Sequence, residues 1–383
     1  MSKPCVLVIY GTRPEAIKVA PVVLALQDSQ LDVKTLTTGQ HPEMVAQVNS
    51  IFGITPDFAI DVMRPGQSLN MLAARVLQGL DTKLAEIRPD AIMVEGDTTT
   101  VMAAALAAFN LHIPVVHLEA GLRSGNINLP FPEEANRRLA GQVAALHLAP
   151  TPKSRDNLLR ENVDPRLIAV TGNSVIDALH YVVDTGQAGE GLSPEFDAAL
   201  TRPGLKVLVT AHRRESWGQP LREMARALAQ SATDHPEVHF LLPAHANPAV
   251  REVLTEILGS IPNVTIGDPQ PYAAFCGLLK GCDLVLTDSG GIQEEAPALG
   301  KPVLVMRDTT ERPEAIAAGT ARLVGTTYES VHSALEGMLI SPEAREVMAH
   351  AVNPYGDGRS AARVVAALEQ LLGVGTRLPD FEA

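Results

Sequence analysis

The chain reads as an α/β protein built from two open domains, each with a parallel sheet. Three observations predict this. Short apolar runs alternate with amphipathic stretches of helix length along the whole sequence; runs buried on both faces and separated by helices belong to parallel sheets with crossover connections. The length, 383 residues, suits two domains of ordinary size. A polar, Gly/Pro-containing stretch over 184–204 (D-T-G-Q-A-G-E-G-L-S-P and onward) divides the runs into two sets and is expected to belong to the interdomain connection.

The elements follow in order. In the first half, strands are expected near 5–10, 33–38, 91–94, 114–118, 145–149 and 168–171. In the second half they are expected near 206–210, 238–242, 264–266, 283–287 and 303–305. The intervening stretches carry the apolar spacing of amphipathic helices. Open α/β domains bind ligands at the carboxyl ends of their strands, so two facing domains would place a ligand in the cleft between them. Most of the residues able to do chemistry fall at those strand ends.

The run T-D-S-G-G-I-Q-E-E at 287–295 follows the expected strand 283–287. Strand, small-residue turn and helix is a geometry that aims backbone N–H groups and the positive end of a helix at an anion. Gly290 and Gly291 allow a phosphate to approach the backbone, and Glu295 is placed to hold a ribose hydroxyl. A nucleotide or nucleotide-sugar site is therefore the first functional expectation; an ordinary β–α turn is the alternative.

After the first strand comes G-T-R-P-E-A-I-K at 11–18, where Arg13 and Lys18 flank a helix start and suit a diphosphate, or else pair with Glu15. V-E-G-D-T-T-T at 94–100 puts Asp97 at a strand end, as a ligand-facing carboxylate or as a helix cap. H-L-E-A-G-L-R-S at 117–124 and P-F-P-E-E-A-N-R-R at 130–138 contribute Glu119 and Glu133, the latter also favoured by the helix dipole alone. Carboxylates that converge at one site acquire separated proton affinities and can divide acid and base roles. In the second half, T-A-H-R-R-E-S-W-G at 210–218 offers His212 and Arg213 as a phosphate clamp, with a half-buried structural histidine as the alternative. P-A-H-A-N-P at 243–248 offers His245 and Asn247. R-D-T-T-E-R-P-E at 307–314 offers Thr309, Glu311 and Arg312, or simply polar groups that satisfy a turn.

Composition sets limits. The net charge of −13 excludes non-specific nucleic-acid binding and attraction to an anionic membrane surface. Cys5, Cys276 and Cys282 are odd in number and match no metal-ligand spacing, which predicts reduced thiols in a cytoplasm and no metal site. The N-terminal apolar run is too short for a signal-peptide core, and no run is long enough to span a bilayer.

The ordered motifs G-T-R-P-E-A-I-K at 11–18, G-D-T-T-T at 96–100, E-A-G-L-R at 119–123, P-E-E-A-N-R at 132–137, H-R-R-E-S at 212–216, T-D-S-G-G at 287–291, R-D-T-T-E-R-P at 307–313 and N-P-Y-G-D-G at 353–358 together resemble the non-hydrolysing UDP-N-acetylglucosamine 2-epimerases. The resemblance spans roughly residues 4 to 372. It implies a GT-B-like fold of two Rossmann-like domains: an N-terminal domain over 1–172, a UDP-binding domain over 173–358, and a C-terminal helix over 359–372 that packs back on the first. It implies a homodimer that uses neither NAD nor a metal for chemistry. Asp97, Glu119 and Glu133 would be the catalytic carboxylates. Arg13, Lys18 and His212 would face the diphosphate, with His212 counted among the catalytic residues. Ser289, Gly290 and Gly291 would bind phosphate, Glu295 the ribose, and Arg312 the substrate. His245 falls at a position associated with nucleotide and allosteric binding, and Gln40 and His41 in a segment often linked to an activating second UDP-GlcNAc.

The reaction implied is epimerisation of UDP-GlcNAc at C2. Loss of UDP from C1 makes the C2 proton labile and gives 2-acetamidoglucal; domain closure would retain UDP, and the proton returns on the other face. The chain departs from the pattern in places. Glu95 stands where many members have His, beside Asp97, whose proton affinity it is expected to raise by like-charge repulsion. Ala211 replaces a common Gly. Gly39, Pro42 and Glu43 differ from some members, which bears on allosteric control more than on catalysis. Competing readings are a 2-epimerase of a related UDP-sugar such as a UDP-2,3-diacetamido-uronic acid, a hydrolysing enzyme releasing ManNAc and UDP, a GT-B glycosyltransferase, and a non-catalytic UDP-sugar sensor.

Overall fold

The structure is a computed structural model that describes residues 3–211, 213, 216–245 and 247–382. The chain divides into two compact units, Met1–Tyr181 with Tyr355–Ala383, and Val182–Pro354.

The first unit is a seven-stranded parallel sheet. Its strands are β1 (Cys5–Tyr10), β2 (Asp32–Thr37), β3 (Phe58–Ala59), β4 (Ala91–Glu95), β5 (Val115–Leu118), β6 (Leu146–Ala149) and β7 (Ile168–Val170). They run in the order β3-β2-β1-β4-β5-β6-β7. The order reverses between β1 and β4, and connections leave that point on opposite sides, opening a crevice at the strands' carboxyl ends. All five residues of β4 and all four of β5 are buried, so their carboxylate-bearing ends sit on a rigid base. Leu7, Ile9, Ile92 and Val94 pack against Val76, Leu80 and Val101 in one contiguous core. Helix α1 (Arg13–Gln27) starts with a reciprocal cap: the Thr12 hydroxyl accepts from the Glu15 N–H, and the Glu15 carboxylate accepts from the Thr12 N–H. The last helix, Ser360–Leu371, packs on α1. Its start is fixed by Asp177, which accepts from the N–H groups of Ser360 and Ala361 at 3.2 and 2.8 Å.

The second unit is a six-stranded parallel sheet of β8 (Lys206–Thr210), β9 (His239–Pro243), β10 (Val264–Gly267), β11 (Leu284–Thr287), β12 (Val303–Val305) and β13 (Ala321–Leu323), ordered β10-β9-β8-β11-β12-β13. Its reversal point lies between β8 and β11. Val207, Val209, Phe240 and Leu286 pack beneath Leu221, Met224 and Leu228.

All eleven strands expected from sequence are present; β3 and β13 were not expected. Each is an edge strand of two or three residues without an apolar run of its own, and pairing with a neighbour defines it. The stretch 184–204 also proves more structured than a connection. It carries a helix, Pro194–Leu200, whose fully buried Phe196 lies so close to Gly267 that a β-carbon there would stand 2.6 Å from its ring. No described helix is long and apolar enough to cross a membrane.

Candidate active site

In the first unit the reversal point gathers carboxylates around one ammonium. Lys18 lies one turn beyond Pro14 and Glu15 on α1. Its Nζ meets Glu119 Oε1 at 2.5 Å and Glu95 Oε1 at 3.0 Å. Glu119 follows β5 immediately and adopts φ +61°, the left-handed region that costs a non-glycine residue of order 1–3 kcal/mol. Its side chain is 8% exposed and also accepts from Asn173 Nδ2 at 3.0 Å. Glu95, the last residue of β4, is buried, and burial drives its carboxyl well above the ordinary value against the pull of Lys18, with Glu119 and Glu15 adding repulsion. Glu15 is buried too; it accepts from the N–H groups of Gly11 and Thr12 at 2.6 and 3.0 Å and from the Thr98 hydroxyl at 2.6 Å. Burial outweighs these three donors and raises its carboxyl as well.

Asp97 leaves this cluster. Gly96 takes φ +81° and turns the chain away from the sheet, and the Asp97 carboxylate pairs with Arg137, which donates from Nε at 3.1 Å and from Nη2. Asn136 Nδ2 donates to the Asp97 carbonyl at 3.0 Å. The Glu95 carboxylate faces Lys18 and Glu119, whereas that of Asp97 faces an arginine. The Arg137 guanidinium is itself anchored by the fully buried Glu134, which also accepts from the Ser124 N–H. Glu133, the first residue of the helix Glu133–Val143, is half-buried beside Glu134. Beneath the turn, His117 Nε2 lies 2.7 Å from the Gly96 carbonyl. A carbonyl only accepts, so Nε2 carries the proton, and burial lowers the imidazole's affinity for a second one. Burial likewise pushes the neighbouring His147 down to about 3.

Of the other residues expected here, Arg13 is exposed at the start of α1. Gln40 accepts from the Thr100 hydroxyl at 2.8 Å. His41 is exposed and precedes the helix Pro42–Ile51 without a side-chain cap bond.

The second unit has the opposite charge pattern. Glu311, in the loop after β12, accepts from Arg213 Nη2 at 2.6 Å, from Arg312 Nη1 at 2.9 Å and from Arg307 Nη1. Burial opposes its ionisation, but the guanidiniums of Arg312, Arg213 and Arg307 prevail and hold its carboxyl down to about 2. The same loop carries Thr310, whose hydroxyl accepts from the Arg312 N–H and donates to Gln293. Arg312 also pairs through Nε with the buried Glu294 at 2.5 Å. This guanidinium lies against the turn after β11: a β-carbon on Gly290 would stand 2.5 Å from Arg312 Nη1. Any larger residue there would force the guanidinium to shift. Asp288, fully buried, accepts from the Arg213 N–H at 2.9 Å. The Ser289 N–H donates to Thr287 Oγ1 at 2.9 Å, so Ser289 offers a ligand its hydroxyl rather than its amide. Glu295 sits beside Gly291 and the buried Tyr272 and Cys276. His245 is exposed, and its Nδ1 accepts from the Asn247 N–H at 3.1 Å. His212 lies outside the described residues.

Sequence reasoning missed Glu134, Arg137, Asn173 and Arg307. The i,i+3 spacing of Glu134 and Arg137 was the available signal for one pair; Asn173 and Arg307 reach their partners only through the fold. Among the described residues, no group of three His, Cys, Asp or Glu side chains is arranged to hold a metal ion. Chemically, the first cluster can accept and return a proton, and the second can hold an anion.

Known proteins resemble this chain over nearly its whole length. The family model described as UDP-N-acetylglucosamine 2-epimerase matches residues 24–369. The chain is 50% identical over 368 residues to the UDP-N-acetylglucosamine 2-epimerase of Escherichia coli K12, across 95% of this chain and 98% of that protein. Among solved structures it is similar to the UDP-GlcNAc 2-epimerase of Neisseria meningitidis bound to UDP-GlcNAc, with TM-score 0.86 and 42% identity over 96% of this chain and 100% of that one. It is also similar to that of Methanocaldococcus jannaschii in complex with UDP-GlcNAc and UDP, with TM-score 0.78 and 31% identity over 96% and 99%. These neighbours share the GT-B-like fold class that the sequence predicts.

Proposed function

The chain belongs to the UDP-N-acetylglucosamine 2-epimerase family, and on that premise we propose that it interconverts UDP-GlcNAc and UDP-ManNAc without net hydrolysis. A carboxylate takes the C2 proton of the sugar. The C1–O bond breaks, its electron pair leaves with the diphosphate, and a C1–C2 double bond forms. In the return step a diphosphate oxygen attacks C1 and a proton is delivered to C2 from the opposite face.

The observation that carries this reading is Glu119. A non-glycine residue at φ +61°, gripped by Lys18 and Asn173 beside the sheet's reversal point, is held in a strained geometry of the kind that clusters at functional sites. Asp97, oriented by Arg137, and Glu133, at a helix start, are the other two carboxylates available for the proton's departure and return. Lys18 neutralises the cluster so that a carboxylate can remain ionised. Arg213, Arg307 and Arg312, with the turn 289–291, supply the charge that stabilises departing UDP, and His212 is assigned to the same leaving group. Glu295 is assigned to the ribose, Arg13 to the diphosphate, and Gln40, His41 and His245 to a second nucleotide-sugar. We further propose a homodimer working in the cytoplasm; the three unpaired thiols are consistent with that compartment.

Proton NMR of UDP-GlcNAc with the protein in D2O tests the reaction. UDP-ManNAc carrying deuterium at C2 is the expected product. Free ManNAc with UDP would replace this reading with the hydrolysing one, and no change in UDP-GlcNAc would overturn it.

A further inference from the structure

Glu95 is a carboxylate that the mechanism above does not use. It ends β4, is 2% exposed, and lies in the core of the first unit. Burying a carboxylate in such a place is costly without a partner. The partner present is Lys18, at 3.0 Å, and that ammonium is simultaneously 2.5 Å from Glu119. The charged groups facing Glu95 are therefore Lys18 and Glu15 on α1 and Glu119 beyond β5. Asp97, two residues along, has turned away to Arg137. Glu15 already has three donors of its own, so the Lys18 ammonium is divided between Glu95 and Glu119; Glu119 also faces the Arg137 guanidinium and the buried His117 imidazole.

We propose that Glu95 is a positioning residue for the epimerisation: by competing for Lys18 it sets how tightly Glu119 holds the proton it exchanges with the sugar. This rests on the assignment of Glu119 to proton transfer. When both carboxylates share one ammonium, the first proton bound belongs to the pair, and the pair titrates as a unit. Burial raises the affinity of Glu95 for that proton, so the first proton is divided between the two carboxylates. Glu119 therefore titrates against a neighbour that still carries part of a negative charge, and that charge makes Glu119 hold its proton more firmly. The consequence is a base whose strength is tuned by a neighbour that never touches substrate.

Glu95→Gln preserves shape and removes the charge. Two readouts test it on the full chain. The first is a carboxyl carbon-13 NMR titration of Glu119 in the wild type and the variant, free of substrate. Its midpoint is expected to move to lower pH by about one unit, a tenfold change in proton affinity. Glu95→His, which also removes the carboxylate, must move it in the same direction. The second is the pH dependence of kcat for UDP-GlcNAc epimerisation, whose acidic limb is expected to shift with the NMR midpoint while KM at the plateau stays within about twofold, since uniform binding is untouched. An unmoved Glu119 midpoint overturns the inference, whatever the activity. A lower plateau with an unmoved acidic limb also overturns it, because loss of packing alone scales the rate. A moved midpoint in a protein that leaves UDP-GlcNAc unchanged upholds the coupling of the pair and removes the reading of the site as an epimerase.

Discussion

The two clusters are near mirror images in charge. In the first unit one ammonium, Lys18, is shared by Glu95 and Glu119 with Glu15 behind them. In the second, one carboxylate, Glu311, is shared by Arg213, Arg307 and Arg312. The difference in proton affinity follows. Buried carboxylates that share an ammonium leave at least one of them ready to hold a proton, and both Glu95 and Glu15 are pushed upward. A carboxylate held by three guanidiniums, which never deprotonate, is pinned as an anion. One arrangement favours a bound proton; the other stays charged until the pH falls to about 2. The elimination proposed above would use one of each.

The largest break in this comparison is expected from Glu119→Gln. Losing a positioned acid–base group costs about 10²–10⁴-fold in rate. Turnover should fall by that much, while UDP affinity, measured by calorimetry, should stay within a few-fold because the arginines proposed to hold UDP lie in the other unit. Comparable losses in both would mean that the clusters do not divide the work. Next in size is Gly290→Ala. The new β-carbon would sit 2.5 Å from Arg312 Nη1 and must displace the guanidinium. Losing one charge-assisted bond costs about 1.5–3 kcal/mol, so UDP should bind roughly ten- to a hundredfold more weakly. Turnover at saturating substrate should fall as well, though by less than in Glu119→Gln, because Arg312 is assigned to the departing UDP. Smaller still is Arg137→Ala, which leaves Asp97 in place but unoriented; a drop of about tenfold in kcat is expected, in line with the loss of an orienting partner. A drop confined to KM would move Asp97 from the chemistry to substrate binding.

Much of this was legible in the sequence because parallel strands advertise themselves. Runs such as the one ending at Glu95 are apolar throughout, and their carboxyl ends put Asp97, Glu119 and the 288–291 turn where an α/β fold collects ligands. What sequence order hides is direction. Glu95 and Asp97 are two residues apart and read as one acidic patch, yet Gly96 at φ +81° sends them to Lys18 and Arg137 respectively. A positive φ at a glycine is permitted but not announced by its neighbours. The arginine cluster was hidden for another reason: Arg213 and Glu311 are 98 positions apart, and only the pairing of β8, β11 and β12 brings their loops together. The short edge strands β3 and β13 escaped because their hydrogen bonds, not their side chains, define them.

The smallest effects test the comparison most finely, because the two clusters should bear on stability with opposite signs. Glu311 titrates in the folded protein at about 2 against an ordinary value of 4.5. Its ion pairs therefore stabilise the fold fully above about 4.5 and lose that contribution as pH falls toward 2. Glu311→Gln should lower the melting temperature at pH 7 and have little effect near pH 2. At 35% exposure solvent screens these pairs, so the loss should be no more than about 1 kcal/mol, or ~2–4 °C. Glu95 is the reverse. Its folded value lies well above 4.5, so below 4.5 both states are protonated and it costs nothing. As pH rises toward the folded value, only the unfolded chain gives up its proton freely, and the fold is penalised. Glu95→Gln removes that penalty, and the variant should melt higher than the wild type at pH 7 and level with it at pH 4. Thermal unfolding of the two variants at both ends of this range decides the matter. If both shift the melting temperature in the same direction at pH 7, Lys18 satisfies Glu95 as completely as the arginines satisfy Glu311, and the buried carboxylate is an ordinary ion pair rather than a reserve of proton affinity.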